Sequence, residues 1–269
     1  MPLRSRQSVL PTALLLALAG GCSSAPVEWG ARRSMPLGAD SSIVLDADGV
    51  VHPDTMLALA ATVAPPPGNV CPGSLRLSAS GSILFAAWWA PRADSSAALL
   101  VAQSIDRGRH WSAGAKVDTT DRGVNGCQRV APAIAADSAS GYVHVTYAML
   151  APEGPGLFFS HSMDDGVTFH TPVPILYGDH LGHTSVAADG DVVIVGFEDP
   201  NSRTSRVGLA ISRTMGHIFE QRILPLSDDA GSASLPLTAV RGRHIAVAWE
   251  QRAVPGSPAA LEVRAGTLR

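Results

Sequence analysis

This sequence of 269 residues has no run of one charge: 20 lysines and arginines stand against 23 aspartates and glutamates, a formal charge of -3. A phosphate backbone would find no basic stripe to grip, which excludes nucleic acid as a partner. Long apolar runs are missing as well. The stretch Ala13–Ala19 (ALLLALA) falls far short of the roughly 20 residues that a membrane-spanning helix needs. There is no glycine-rich phosphate loop, no paired-cysteine zinc pattern and no nucleophile elbow, so no cofactor is expected. His180-Leu181-Gly182-His183 brings two imidazoles without a third ligand at metal-site spacing, and no metal is assigned. What the chain does have is a hydrophobic fraction of 46%, ample for one core, with Gly 26 and Pro 20 scattered between short apolar runs. That punctuation suits many strands joined by turns and breaks up long helices.

The first residues have a different task. Arg4 and Arg6 precede the apolar stretch, and Gly20, Gly21 and Cys22 follow it, which is the order of a secretion signal. Leu18-Ala19-Gly20-Gly21-Cys22 resembles a bacterial lipobox, with Ala19 where leucine is more usual. The resemblance implies a signal peptide over 1–22, lipidation of Cys22, and a membrane partner through that anchor. Ser23 after the cysteine resembles an outer-membrane sorting signal, which implies the periplasmic face or the surface of that membrane. Residues 23–40 read as a flexible linker and 41–269 as the folded domain. Setting Cys22 aside leaves Cys71 and Cys127, an even pair in an oxidising compartment, where a disulfide is expected.

One short phrase occurs three times, as SIDRGRHWS from Ser104, SMDDGVTFH from Ser162 and SRTMGHIFE from Ser212. Before each copy lie two apolar strands, the second ending on an aromatic at Trp88, Tyr147 and Phe197; Trp249 repeats the slot once more. A third strand follows, and the phrase turns into a fourth. Self-similarity at about 40 to 55 residues with four strands per unit marks the blades of a β-propeller. Four units are expected, at about 73–122, 130–178, 183–230 and 235–269. The last lacks an outer strand, and a hairpin of Ser41–Asp46 and Val50–His52 is expected to supply it. The stretch 39–70 otherwise reads as a degenerate fifth unit.

The phrase resembles the Asp box, or BNR repeat, of the sialidase superfamily. Ser104, Asp106, Gly108 and Trp111 fit it completely; Ser162, Asp164, Gly166 and Phe169 fit with an aromatic exchange. Ser212, Gly216 and Phe219 keep the frame, with Thr214 in place of the aspartate. An Asp side chain can accept backbone amides across a tight turn, and glycine supplies positive φ. These residues are therefore read as a folding device and not as catalytic acids. The fold class expected is all-β, a sialidase-like propeller of four-stranded antiparallel blades closed by an N-terminal strand.

Function is less legible. Loops at one end of the channel carry Trp89, Arg92, Arg129, His180, His183, Glu198, Arg203, Glu250 and Arg252, mixed charge beside an aromatic, as a glycan or peptide site would need. Resemblance to sialidases implies a tyrosine nucleophile, an acid/base carboxyl and arginines clamping a carboxylate. The family's Phe/Tyr-Arg-Ile-Pro motif is absent, and no catalytic residue carries over. The expectation is a non-catalytic envelope lipoprotein that recognises a glycan or an envelope protein. An exo-α-sialidase-like hydrolase and an assembly scaffold without a small ligand are the alternatives.

Overall fold

The computed structural model describes residues 25–36, 43–45, 51–53, 66–227, 231–254 and 256–269. Cys22 and the lipobox, and Asp228 and Asp229, lie outside the described residues. The chain begins with β1 (Val27–Trp29) and β2 (Arg33–Pro36), followed by β3 (Ile43–Leu45) and β4 (Val51–Pro53). Blade one is β5 (Arg76–Ser80), β6 (Ile83–Pro91), β7 (Ala97–Ser104) and β8 (Ala115–Lys116). Blade two is β9 (Ala133–Ala136), β10 (Val143–Ala151), β11 (Gly154–Ser162) and β12 (Val173–Tyr177). Blade three is β13 (Thr184–Asp189), β14 (Val192–Glu198), β15 (Val207–Ser212) and β16 (Gln221–Pro225), and blade four opens with β17 (Ser232–Arg241), β18 (His244–Arg252) and β19 (Ala260–Leu268). Every pairing is antiparallel between neighbours in the chain, apart from the strand that completes blade four. Among the described residues no helix is long and apolar enough to cross a membrane.

The sheets stand side by side because their strands are apolar on both faces. Val143 to Met149 of β10 are all buried, which requires a sheet against each face. The inner strands β5, β9, β13 and β17 are neighbours in that order. Between blades one and two lie Trp89, Leu99, Tyr147 and Phe158. Between two and three lie Leu157, Phe159, Val195 and Phe197, and between three and four Ile194, Leu209, Val247 and Trp249. The aromatic slot found in the sequence is fully buried in all four blades, at Trp88, Tyr147, Phe197 and Trp249. Burying one such side chain contributes about 2–3 kcal/mol. Side chains also tie one inner hairpin to the next: Asp137 accepts from the Gly190 amide (3.1 Å), and Asp189 accepts from the Gly242 amide.

The repeated phrase forms the same turn three times. The Gly108, Gly166 and Gly216 amides donate to Ser104, Ser162 and Ser212 Oγ at 2.8, 2.8 and 3.1 Å. Asp106 and Asp164 Oδ1 accept the amides of His110 (2.9 Å) and Thr168 (2.8 Å), and Thr214 Oγ1 accepts that of Ile218 (2.9 Å). Threonine thus replaces the aspartate with one acceptor oxygen in the same place. The three glycines have φ of 82°, 80° and 86°, where a side chain would be strained.

Two expectations are corrected. The strand completing blade four is not the 41–52 hairpin but β1 and β2, lying end to end along β19, with Val27 opposite Leu268 and Arg33 opposite Val263. Among the described residues β3 and β4 pair only with each other. Residues 27–29 and 33–36, read as linker, are therefore part of the sheet. An outer edge strand is recruited by backbone hydrogen bonds and needs few apolar residues, so hydropathy favoured the wrong segment.

Candidate functional site at the channel mouth

Each blade sends its loops between second and third strands, and its exit loop towards the next blade, to one end of the propeller. Two adjoining cavities open there. The first, about 480 Å³, is bordered largely by apolar side chains, including Val124, Met149, Leu150, Pro155 and Leu181, with Asn125 and Gln128 on its rim. The second, about 420 Å³, is polar and includes His180, Glu198, Asp199, Ser202 and Arg203. Asp179 and Leu181 border both, so the two lie side by side.

Glu198 is its best-fixed anion. It ends β14 with Oε1 3.1 Å from His183 Nδ1, and the same oxygen accepts the Leu235 amide at 2.9 Å. Burial alone would raise its pKa, but the His183 hydrogen bond, the Leu235 amide and the imidazole's charge together hold it below the usual carboxylate value. The reciprocal hydrogen bond raises His183, against the opposing effect of burial. Both shifts favour the ionic form of the pair at neutral pH. Gly182 makes this packing feasible, because a Cβ there would lie 2.3 Å from Glu198 Oε2. The two histidines of His180-Leu181-Gly182-His183 thus part company: His183 pairs with Glu198, while His180 borders the polar cavity and anchors its backbone amide on Pro200 O (3.0 Å).

The other predicted residues divide sharply. Arg203 is exposed on the polar cavity. Trp89 is 1% exposed; its indole nitrogen donates to Val130 O (2.9 Å) and its ring meets Tyr147 edge-on at 6.2 Å. It is a core side chain and offers no stacking face. Arg129 borders the apolar cavity, but its guanidinium pairs with half-buried Asp121, donates to Gly123 O (2.7 Å) and lies 4.6 Å over Trp89. Arg92 is an exposed turn residue. Glu250 and Arg252 face each other at 3.7 Å on blade four and border neither cavity. Sequence reasoning missed Met149, Leu150 and Leu181, the apolar wall. The signal available was Ala148-Met149-Leu150, an apolar run that continues past the aromatic slot at Tyr147 into the mouth loop.

The pair Cys71–Cys127 is a disulfide with Cα atoms 5.1 Å apart, as expected. It fastens the Gly123–Val130 segment, which borders the apolar cavity, to the start of blade one. Tyr147 has a buried hydroxyl without a partner, and burial first, then Asp118 and Asp121, push its pKa well above the ordinary phenol value, while Tyr177, at the mouth end of β12, is 41% exposed.

No family model and no curated protein matches this chain. Solved structures match it in fold. A protein of unknown function from Dyadobacter fermentans DSM 18053 superposes with a TM-score of 0.53 at 15% identity, over 70% of this chain and 50% of that one. A mutant of NanB sialidase from Streptococcus pneumoniae superposes with a TM-score of 0.50 at 13% identity, over 73% of this chain and 31% of that one. Identities this low establish the fold alone, a sialidase-like β-propeller. The chain spans half or less of the length of these neighbours.

Proposed function

We propose that this protein is a lipid-anchored lipoprotein of the bacterial envelope whose propeller, its outer turns built as Asp boxes, recognises a carbohydrate at the channel mouth without cleaving it. One observation carries the reading: a largely apolar cavity and a polar cavity lie side by side, with Asp179 and Leu181 bordering both. An apolar wall accepts the C–H face of a sugar ring, and fixed carboxylates and imidazoles orient its hydroxyls. The combined size suits a disaccharide or a somewhat longer chain. Support for recognition over hydrolysis comes from how the charged groups are engaged. Glu198 is held as an anion and cannot act as a general acid near neutrality, Arg129 is neutralised by Asp121, and the Tyr147 hydroxyl is sealed in the core.

A second reading, sialidase-like hydrolysis, has the fold likeness to NanB in its favour. A glycan array and a fluorogenic sialoside assay on the mature protein separate the two. The expected result is binding without turnover, weakened about tenfold by Glu198→Gln, which removes the charge that holds His183. Turnover above a buffer control, abolished by the same substitution, would replace recognition with hydrolysis. Silence in both assays would leave the scaffold reading.

A further inference from the structure

The chain enters the propeller at the end opposite the channel mouth. β19 starts at Ala260, beside the mouth loops, and ends at Leu268, whose amide donates to Arg243 O (2.8 Å) in the turn after β17. β1 runs against it with Val27 opposite Leu268, and β2 ends with Pro36 opposite Ala260. Pro26 therefore lies at the end formed by the repeated turns. Its carbonyl accepts from the Arg269 amide (3.1 Å) and from Arg213 Nη2 (3.4 Å), which belongs to the third of those turns. Arg213 also donates to Arg269 O at 2.9 Å, so the entering chain is pinned there.

Four residue steps separate Pro26 from Cys22, a reach of at most about 14 Å. A nine-residue strand such as β10 spans about 30 Å between the two ends of a blade. The tether is thus too short to bring the mouth to any surface that holds Cys22. The repeated-turn end also exposes apolar side chains from three successive turns: Ile105 (76% exposed), Met163 (50%), Val167 (58%) and Ile218 (61%). The hydrogen bonds that make the turns use the serine, aspartate or threonine and glycine positions, so nothing in the turn itself requires these four to be apolar.

We infer that the repeated-turn end is a docking surface for a phospholipid bilayer: acyl chains on Cys22 hold the leaflet close to Pro26, Ile105, Met163, Val167 and Ile218 enter its interface, and the channel mouth faces away from it. The inference rests on the lipoprotein reading. Arg107, Arg109 and Arg213 share these turns with Asp106, Asp164, Asp165 and Glu220, so apolar contact and not headgroup charge drives the docking, and salt should leave it intact.

The test uses the full lipoprotein in phosphatidylcholine vesicles with brominated acyl chains, which quench tryptophan on contact. Ile105→Trp and Ile218→Trp place probes at the docking end, and Val254→Trp, at a position 59% exposed in the β18–β19 loop, places one at the mouth. Relative to the unsubstituted protein, the added emission at 105 and 218 should fall about twofold, at low and high salt alike, and that at 254 should not change. Intact mass measurement on the same sample reads acylation of Cys22. An acylated protein quenched at 254, or at none of the three, overturns the orientation and leaves the lipoprotein reading standing. A mature chain without an acyl group overturns both.

Discussion

Acid should destabilise this propeller through a histidine that the candidate site does not use. His144 on β10 is fully buried, neither ring nitrogen has a partner, and its ring stacks on Phe159 at 5.7 Å. Burial first, then the nearby His161 and His217, pull its pKa from 6.5 to about 3, with Asp137 opposing. His161, 4% exposed and packed 4.6 Å from His170 and 4.5 Å from His217, is lowered to about 4, mainly by burial. Both are neutral when folded and take up protons when unfolded below pH 6.5. The unfolded state then binds more protons, so their contribution is complete above 6.5 and is lost as pH falls towards the folded values. For His144 alone the loss from pH 6.5 to 4.5 is about 2 kcal/mol. His183 has the opposite sign: its raised pKa gives stability that is present below 6.5 and lost as pH rises, so it adds nothing to this acid loss. The lowered aspartates Asp106, Asp137 and Asp164 give up their share only below 3.8. Urea unfolding followed by tryptophan fluorescence at pH 6.5, 5.5 and 4.5 isolates the effect. His144→Phe, which keeps an aromatic ring over Phe159, should flatten the acid limb by about 2–3 kcal/mol. Equal pH slopes for the variant and the unsubstituted protein would refute the reasoning.

Two further predictions concern the frame. Reducing the Cys71–Cys127 bridge, which closes a separation of 56 residues, should cost about 4 kcal/mol and lower the melting temperature measured with and without reductant. It should also weaken ligand binding more than a distant destabilisation of the same size, because the Gly123–Val130 wall of the apolar cavity loses its anchor. Among the turn glycines, Gly166→Ala adds a Cβ at ordinary distance, 3.5 Å from Val101, and should cost about 1 kcal/mol for its positive φ. Gly216→Ala drives a Cβ to within 2.3 Å of Phe159 Cζ and should cost about 3 kcal/mol or more by urea unfolding; equal losses would argue against blade contact at that glycine.

The blade units were legible because each is built from local signals. An apolar run, an aromatic slot and a turn phrase recur in order, and antiparallel pairing of chain neighbours then follows. The mouth loops were legible for the same reason, since strand alternation fixes which loops share an end. What each mouth residue does was not. Trp89 and the Val130 carbonyl it binds are separated by 41 positions, and nothing local shows that Arg129 is already claimed by Asp121. The cluster of His144, His161, His170 and His217 was invisible for a related reason: three blade-two residues meet a turn of blade three only when the sheets pack.

By itself the sequence determined four repeated units, their outer turns and the cysteine pair, since all of these rest on short-range backbone chemistry and composition. Only the tertiary structure decided that residues 27–36 complete blade four, that an apolar and a polar cavity share Asp179 and Leu181, and that the entering chain sits opposite the mouth. Those outcomes depend on which edge and which face of one sheet meets another. That choice is made by backbone pairing and packing between distant segments, for which a linear pattern carries no marker.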